Sequence, residues 1–451
     1  MSKINDTTDY PVTVPAAGDM LIGTDVSDTS TDAGGETANF TVAALTTHVE
    51  SNMDALQNVA LVKALATYAP TRAEAILLHV PAAQVVLFVR NSAGLLAYKR
   101  DAAGTALTTA DGQTWSPDGD VTPNHWAENT TPGTTDMTAA LTAAMAYSTR
   151  VHVKSLSLID AAVAVPSGVT LIFDGGSITA TSTQTLSFNN KARIKAGRDH
   201  IFKGESTASN LGEVYPEWFG AQNSSVSAGD ATPAAWVKAA AACRQNGVIS
   251  LAEGFYPWDG TSAVVLSNGQ RIKGSGWYQS TLRCVTAAAN GFRWTTTNGG
   301  GAHGFRFQSV TVTPTSGVVL DFSGNEANRP SVTEIFVEGC YSLLRAVGNN
   351  TTAFNQGTFK DIEGRNVYGR VLDFDAIENL IIENIMIDAG VGAAPLGGLR
   401  IVNKSQGNIF RRVQIGNCKT AKGCEITSSG SGILRGTDPR WNQMISCVFD
   451  D

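Results

Sequence analysis

Seven acidic residues crowd one stretch of the chain: Asp361, Glu363, Asp373, Asp375, Glu378, Glu383 and Asp388. Carboxylates in pairs supply a general acid with a base or nucleophile, the apparatus that hydrolyses glycosidic bonds. A base beside a charge-neutralising cation does eliminations instead. Asp361, Glu363, Asp373, Asp375 and Glu383 are the catalytic candidates. Asp373 and Asp375 sit two apart in VLDFD, so an extended backbone puts both on one face. The competing reading is structural: outward charges keep a β surface soluble and block edge pairing. Trp277, Tyr278, Trp294 and Tyr368 are carbohydrate-binding candidates, because an aromatic ring presents an apolar face to a sugar ring. Packing at a strand edge or between subunits competes for each of them. Other chemistries find no support. NGGGAHG (298–304) lacks the Lys-Ser/Thr end of a phosphate loop. KGSGW (273–277) lacks the flanking glycines of a serine nucleophile elbow. The six histidines are scattered without H-E-x-x-H, so no metal and no cofactor is expected.

The elements that carry these residues repeat. Short apolar strands recur around Val310, Ile335, Ile362, Ile385, Val413 and Val448, about 28 residues apart, the range of a solenoid. Alternation inside them (Ile335/Val337, Ile385/Ile387, Val413/Ile415) gives each strand one buried face. Gly and Asn between strands supply corners. The expectation is mainly β: a parallel β-helix with one rung per repeat. Cys340 and Cys418 each follow their strand's anchor residue by five, which points to an interior ladder. None of the six cysteines forms C-x₂-C, so free buried thiols are expected.

Upstream, one phrase occurs twice. VTPNHWAE (121–128) and VYPEWFGA (214–221) each lead to an aspartate, an Ala-rich helix, a strand and a Gly turn. Asp136 and Asp230 stand where a side chain satisfies free N–H groups at a helix start. Gly168 and Gly269 occupy equivalent tight turns that call for positive φ. This gives a first helix-capped β unit at 121–212 and a second at 213–451 that opens into the β-helix. Before them lie a polar arm (1–41), an amphipathic helix or stalk (42–71, the 3–4 period running from Val42 through residue 68) and a small β-rich domain (72–120). The helix packs on its own chain or forms a short dimeric or trimeric bundle; both readings stay open. In the β-rich domain NSAG reads as a hairpin turn, and DGQTWSPDG as turn formers around one tryptophan.

Composition narrows the function. Charged residues are 16%, against roughly 25% in ordinary domains. The formal charge is −7 with no basic cluster, which argues against nucleic acid. The most apolar stretch, AILLHVPAAQVVLFV (75–89), is too short to cross a membrane and holds His79, Pro81 and Gln84. MSKINDTTDYPVTVP lacks the apolar core of a secretion signal, so synthesis and assembly in a cytoplasm are expected.

VYPEWFGA, the helix that follows, VISLAEGFY and SNGQRIKGSG together resemble the opening of pectate-lyase-like right-handed β-helices. The first unit departs from that pattern, reading HWAEN where an aromatic followed by Gly-Ala is usual. LLAYKRDAAGTALTTADGQTWSPDGDVTPNHW (95–126) is similar to the segment preceding the β-helix in bacteriophage tailspikes and tail fibres. VPAAGDMLIGTDVSDTSTDAGGETANFTVAAL (14–45) is similar to N-terminal arms of phage structural proteins. The resemblance spans most of the chain. It implies a homotrimer in the virion tail, assembled in a bacterial host. It also implies attachment to tail or baseplate proteins through residues 1–68, and a distal part that meets a host-surface glycan. The expected function is host-surface adhesion; a polysaccharide depolymerase of the same architecture is the alternative. A bacterial surface adhesin is a third reading, weakened by the missing secretion signal. Only about six rungs follow residue 300 and CVFDD comes directly after a strand, which suits a fibre or adaptor better than a full depolymerase.

Overall fold

The computed structural model describes residues 66–91, 93–223, 231–295, 297–309, 313–323, 327–348, 354–389, 397–403, 405–417, 424–427 and 442–449. The polar arm, most of the expected amphipathic helix, Asp230, Val310 and Cys418 lie outside these residues. Two compact units divide at Gly119/Asp120.

In the first unit the strands Ala66–Ala69, Val86–Asn91, Gly94–Arg100, Thr114–Asp118 and Leu107–Thr108 form one sheet in that order. The helical period expected through residue 68 has given way to strand by Ala66. Ala66–Ala69 pairs in parallel with Val86–Val89, and that ladder overrides local periodicity. Helix α1 (Arg72–Leu77) follows, its start capped by Thr71, which accepts from the Glu74 N–H. Within NSAG, Asn91 and Gly94 pair across the end of an antiparallel hairpin. DGQTWSPDG is not all turn: Trp115 is fully buried on a strand, with the Arg100 guanidinium 5.0 Å from its ring centre.

The second unit is a parallel β-helix. Its opening coils form a four-stranded and a three-stranded parallel sheet. Helix α2 (Thr138–Tyr147) stands at their start, and Asp136 accepts from the Thr138 N–H at 2.9 Å. The two echoing phrases fold alike: Pro123–His125 and Pro216–Phe219 are both 3-10 turns with Pro leading. Helix α3 (Pro233–Ala242) follows the second turn. Gly168 and Gly269 both adopt positive φ, 85° and 71°. VYPEWFGA joins the opening coils to the later ones. Phe219 stacks on Phe202, 5.1 Å between centroids, while Glu217 accepts from the Tyr256 hydroxyl at 2.6 Å.

Beyond it the coils build three faces. The long sheet runs from Leu211–Val214 through Gly301–Ser309, Ser331–Glu338, Thr358–Arg365, Ile381–Asp388 and Ile409–Gly416. A second sheet has seven strands, from Val264–Leu266 to Cys424–Thr427. The third has four two-residue strands, from Thr297–Asn298 to Ile377–Glu378. Phe305, Ile335, Ile362, Ile385 and Val413 form one inward column. The repeat expected at Val310 is therefore anchored at Phe305, because bulky aromatics fill the coil interior there. The last strand is also shifted: Val448 pairs with the outward Gln414 and is 49% exposed. Cys340 is fully buried, and loss of water pushes its thiol up to about 12.

An aromatic spine runs along the axis. Trp236 on α3 meets Trp258 at 4.9 Å, Trp258 meets Phe292 at 5.1 Å, and Phe292 meets Trp294 at 6.3 Å. Trp294 stacks on Phe322 at 4.3 Å and 9°. Phe359, Phe374 and Phe410 continue it at 5.9, 6.0 and 6.2 Å. Such ring pairs add about 0.5–1.5 kcal/mol each beyond the area they bury.

Candidate functional site

On the long sheet every later coil contains one residue at positive φ between two extended halves: Gly304, Glu334, Asp361, Asn384, Arg412 and Ser446, at 50° to 68°. The ladder skips them. Thr333 pairs with Lys360 and Ile335 with Ile362, leaving Glu334 and Asp361 unpaired in register. A left-handed residue inside a strand bends it sharply, as a bulge does. Stacked bends make a crease on the outer face. A similar column (Arg329, Gln356, Asn379, Gly407) turns a corner of the coil, so positive φ alone marks architecture and not a site.

What distinguishes the crease is its lining. A groove of about 690 Å³ follows it, with Glu334, Asp361, Asn384, Arg412 and Ser446 along the floor. Trp277 forms one wall, and Glu363, Met386 and Gln414 another. The register sets Phe336, Glu363, Met386 and Gln414 side by side on successive coils. Coils repeat every ~4.8 Å, so the floor from Glu334 to Ser446 is about 19 Å long.

The loop carrying Trp277 is fixed by backbone contacts. The Gly276 N–H donates to the Gly304 carbonyl at 2.8 Å, and the Ser275 N–H donates to Ser280 Oγ at 2.9 Å. A Cβ on Gly274 would stand 2.1 Å from the Gly304 oxygen, so KGSGW needs glycine for close approach. The loop sets Trp277 and Tyr278 against Phe336, with centroids at 6.5 and 5.9 Å. Tyr278 is 67% exposed. The Arg306 guanidinium lies 5.1 Å from the Phe336 centroid and is ion-paired with Glu338, which also holds Arg365.

The groove acids are held unequally. Asp361 accepts from Asn384 Nδ2 at 2.7 Å. Glu334 lies 3.7 Å from His303 Nε2. Glu383, on the strand face beside the floor, accepts from Arg412 Nη2 at 3.0 Å. Glu363 has no hydrogen-bond or ion-pair partner among the described residues. No cluster of three or more His, Cys, Asp or Glu among the described residues suits a metal ion.

The structure thus brings Trp277, Tyr278, Asp361 and Glu363 to one place, with Glu383 beside it. It takes the other candidates elsewhere. Asp373 and Asp375 lie on the second sheet, where Arg400 donates to Asp373 at 2.6 Å and Asn403 donates to Asp375. Asp373 belongs to a column of alternating sign, Arg293, Asp321, Arg345, Asp373, Arg400 and Glu425. Opposite charges on neighbouring strands stabilise the pairing. Trp294 offers no face to a ligand: it is fully buried in the spine. Tyr368 is half-buried after the strand end, its N–H donating to the Cys340 carbonyl, and does not line the groove. Sequence reasoning missed Phe336, Glu334, Met386 and Arg412. Phe336 alone had a signal, as an outward aromatic in an otherwise alternating strand.

The three-faced coil defines a parallel β-helix protein with a groove on its longest sheet. No protein-family model matches the sequence, and no curated protein matches it. Among solved structures it is similar to the tailspike protein of Acinetobacter phage vB_ApiP_P1, with 11% identity and a TM-score of 0.27. That match covers 85% of this chain and 71% of the other. It is also similar to tailspike protein 2 from Escherichia coli O157:H7 bacteriophage CAB120, with 13% identity and a TM-score of 0.25. That match covers 90% of this chain and 53% of the other.

Proposed function

We propose that this protein is a phage tail fibre or tailspike component whose β-helix groove binds a host-surface glycan. The observation that carries the reading is the trio Trp277, Tyr278 and Phe336 standing beside Glu334, Asp361 and Glu363. Ring faces take the apolar side of a pyranose, and carboxylates accept from its hydroxyls. Trp277→Ala will lower binding to purified host capsule or lipopolysaccharide by about thirtyfold, the ~2 kcal/mol of a hot-spot aromatic. Unchanged affinity would remove the groove from the reading. A homotrimer docked on the particle through residues 1–68 completes the proposal. Sedimentation at the monomer mass, or normal particle incorporation after deleting 1–68, would count against those two parts.

Glu363, unpartnered among the described residues, stands beside Asp361 and favours a second reading, a polysaccharide depolymerase. In that case the polysaccharide releases reducing ends or unsaturated sugars, and Glu363→Gln slows release about 100-fold or more while binding persists. If no oligosaccharide is released, adhesion alone remains.

A further inference from the structure

A second cleft, of about 440 Å³, opens where the opening coils hand over to the later ones. Arg193–Lys195 is the terminal strand of the three-stranded sheet, and Leu211–Val214 is the first strand of the long sheet. The cleft is lined from both sides of this break. Edge strands leave backbone N–H and C=O groups free to bond.

Three cations converge there: Arg193, Lys195 and Arg244, all exposed. Arg193 and Lys195 alternate on one face of their strand. None of the three has an ion-pair partner among the described residues, whereas Arg306, Arg365, Arg370, Arg400 and Arg412 each meet a carboxylate. The only carboxylate lining the cleft, Glu213, already accepts from Tyr215 Oη at 3.0 Å and Ser250 Oγ at 2.7 Å. In a chain of net charge −7 this is a local reversal of sign, and a concave wall focuses such a field.

Gly212 supplies an independent observation. Its φ is not positive, so the backbone does not need glycine there. A Cβ at this position would stand 3.3 Å from Arg244 Nη2 and 3.5 Å from its Nε. Glycine leaves room for the guanidinium to lie across the strand toward the cleft. The remaining lining includes the half-buried Tyr215 and Ile194, the exposed Asn190 amide, and Asn210, whose Nδ2 donates to the Phe188 carbonyl. Cations, amides and a partly apolar wall suit a sugar carrying a carboxylate better than a bare inorganic anion, which would leave most of the volume empty.

We propose that this cleft is a binding site for an acidic sugar residue, separate from the groove and independent of the reading given to it. The guanidinium of Arg244 engages the carboxylate, and Arg193 and Lys195 supply the surrounding positive field. Calorimetric titration of the full chain with trigalacturonate, and with neutral maltotriose, tests it. Trigalacturonate binds at low salt and weakens as salt rises, and maltotriose does not bind. The triple variant Arg193→Gln/Lys195→Gln/Arg244→Gln loses about tenfold or more in affinity. Gly212→Val, which keeps every charge but displaces Arg244, loses affinity in the same direction. All four positions are exposed, so the far-UV dichroism and melting of both variants stay as in the parent. Equal binding of maltotriose, undiminished binding by the triple variant, or no trigalacturonate binding at low salt would overturn the proposal. Full displacement of trigalacturonate by inorganic phosphate at equal affinity would overturn the sugar assignment.

Discussion

Replacing Trp236 with alanine will lower the unfolding free energy of the β-helix by about 3–5 kcal/mol, the cost of emptying a large aromatic site. Trp236 is 2% exposed on α3 and touches Tyr256, Trp258 and Phe292 at 5.4, 4.9 and 6.1 Å. It is the first ring of the spine and belongs to the helix that covers the start of the later coils. Its removal takes away ring contacts and loosens the cover together. Solenoids depend on atypical terminal elements to close their cores. Denaturant melts read by far-UV dichroism measure the change. A loss under about 1 kcal/mol would mean that α3 is peripheral to the core.

Glu338→Ala will cost about 2–3 kcal/mol, because it leaves the largely buried Arg306 guanidinium without its carboxylate, while the exposed Arg365 is resolvated. The side chain of Glu338 is 14% exposed, and it accepts from Arg306, Arg365 and, at 2.7 Å, Gln308. Burial pushes its carboxyl up, but hydrogen bonds from Arg306 and Arg365 outweigh burial and hold it below the usual carboxylate range. A depressed carboxyl stabilises the fold above the unfolded value of about 4.3. That contribution disappears as pH falls through the lower folded value. The parent will therefore lose stability on acidification more steeply than Glu338→Gln, and parallel acid-melt curves would refute this assignment. A binding effect follows as well, since Arg306 bridges Glu338 to the face of Phe336 beside the groove.

The coil was legible because its signal is local. Ile335, Ile362, Ile385 and Val413 are β-branched, inward and each preceded by a polar residue, so their spacing can be read directly. The column misled at its first member, where Phe305 and Phe307 fill the interior and the valines after them drew the eye. The last strand misled in the same way, with Val448 turned outward. The echoing phrases predicted two helices and two Gly turns correctly, since turns follow from short-range chemistry; of the two expected capping aspartates only Asp136 lies among the described residues. The groove was not legible. Its Trp277 wall is braced by Phe336 from two coils away, and its floor depends on left-handed residues as different as Glu334, Asn384 and Arg412. Only Asn hints at that conformation. Asp373 looked like the better acid because its spacing to Asp375 was visible, while its engagement with Arg400 lies one coil away.

The crease also sets a scale. Each coil adds one floor residue and about 4.8 Å of contact surface, and neighbouring coils touch mainly each other. Duplicating or deleting one segment of coil length would lengthen or shorten the gauge by a fixed notch and leave the remaining notches in place. Recognition on such a surface can change by whole steps in the length of ligand engaged, through a single genetic event and without redesign of any existing contact.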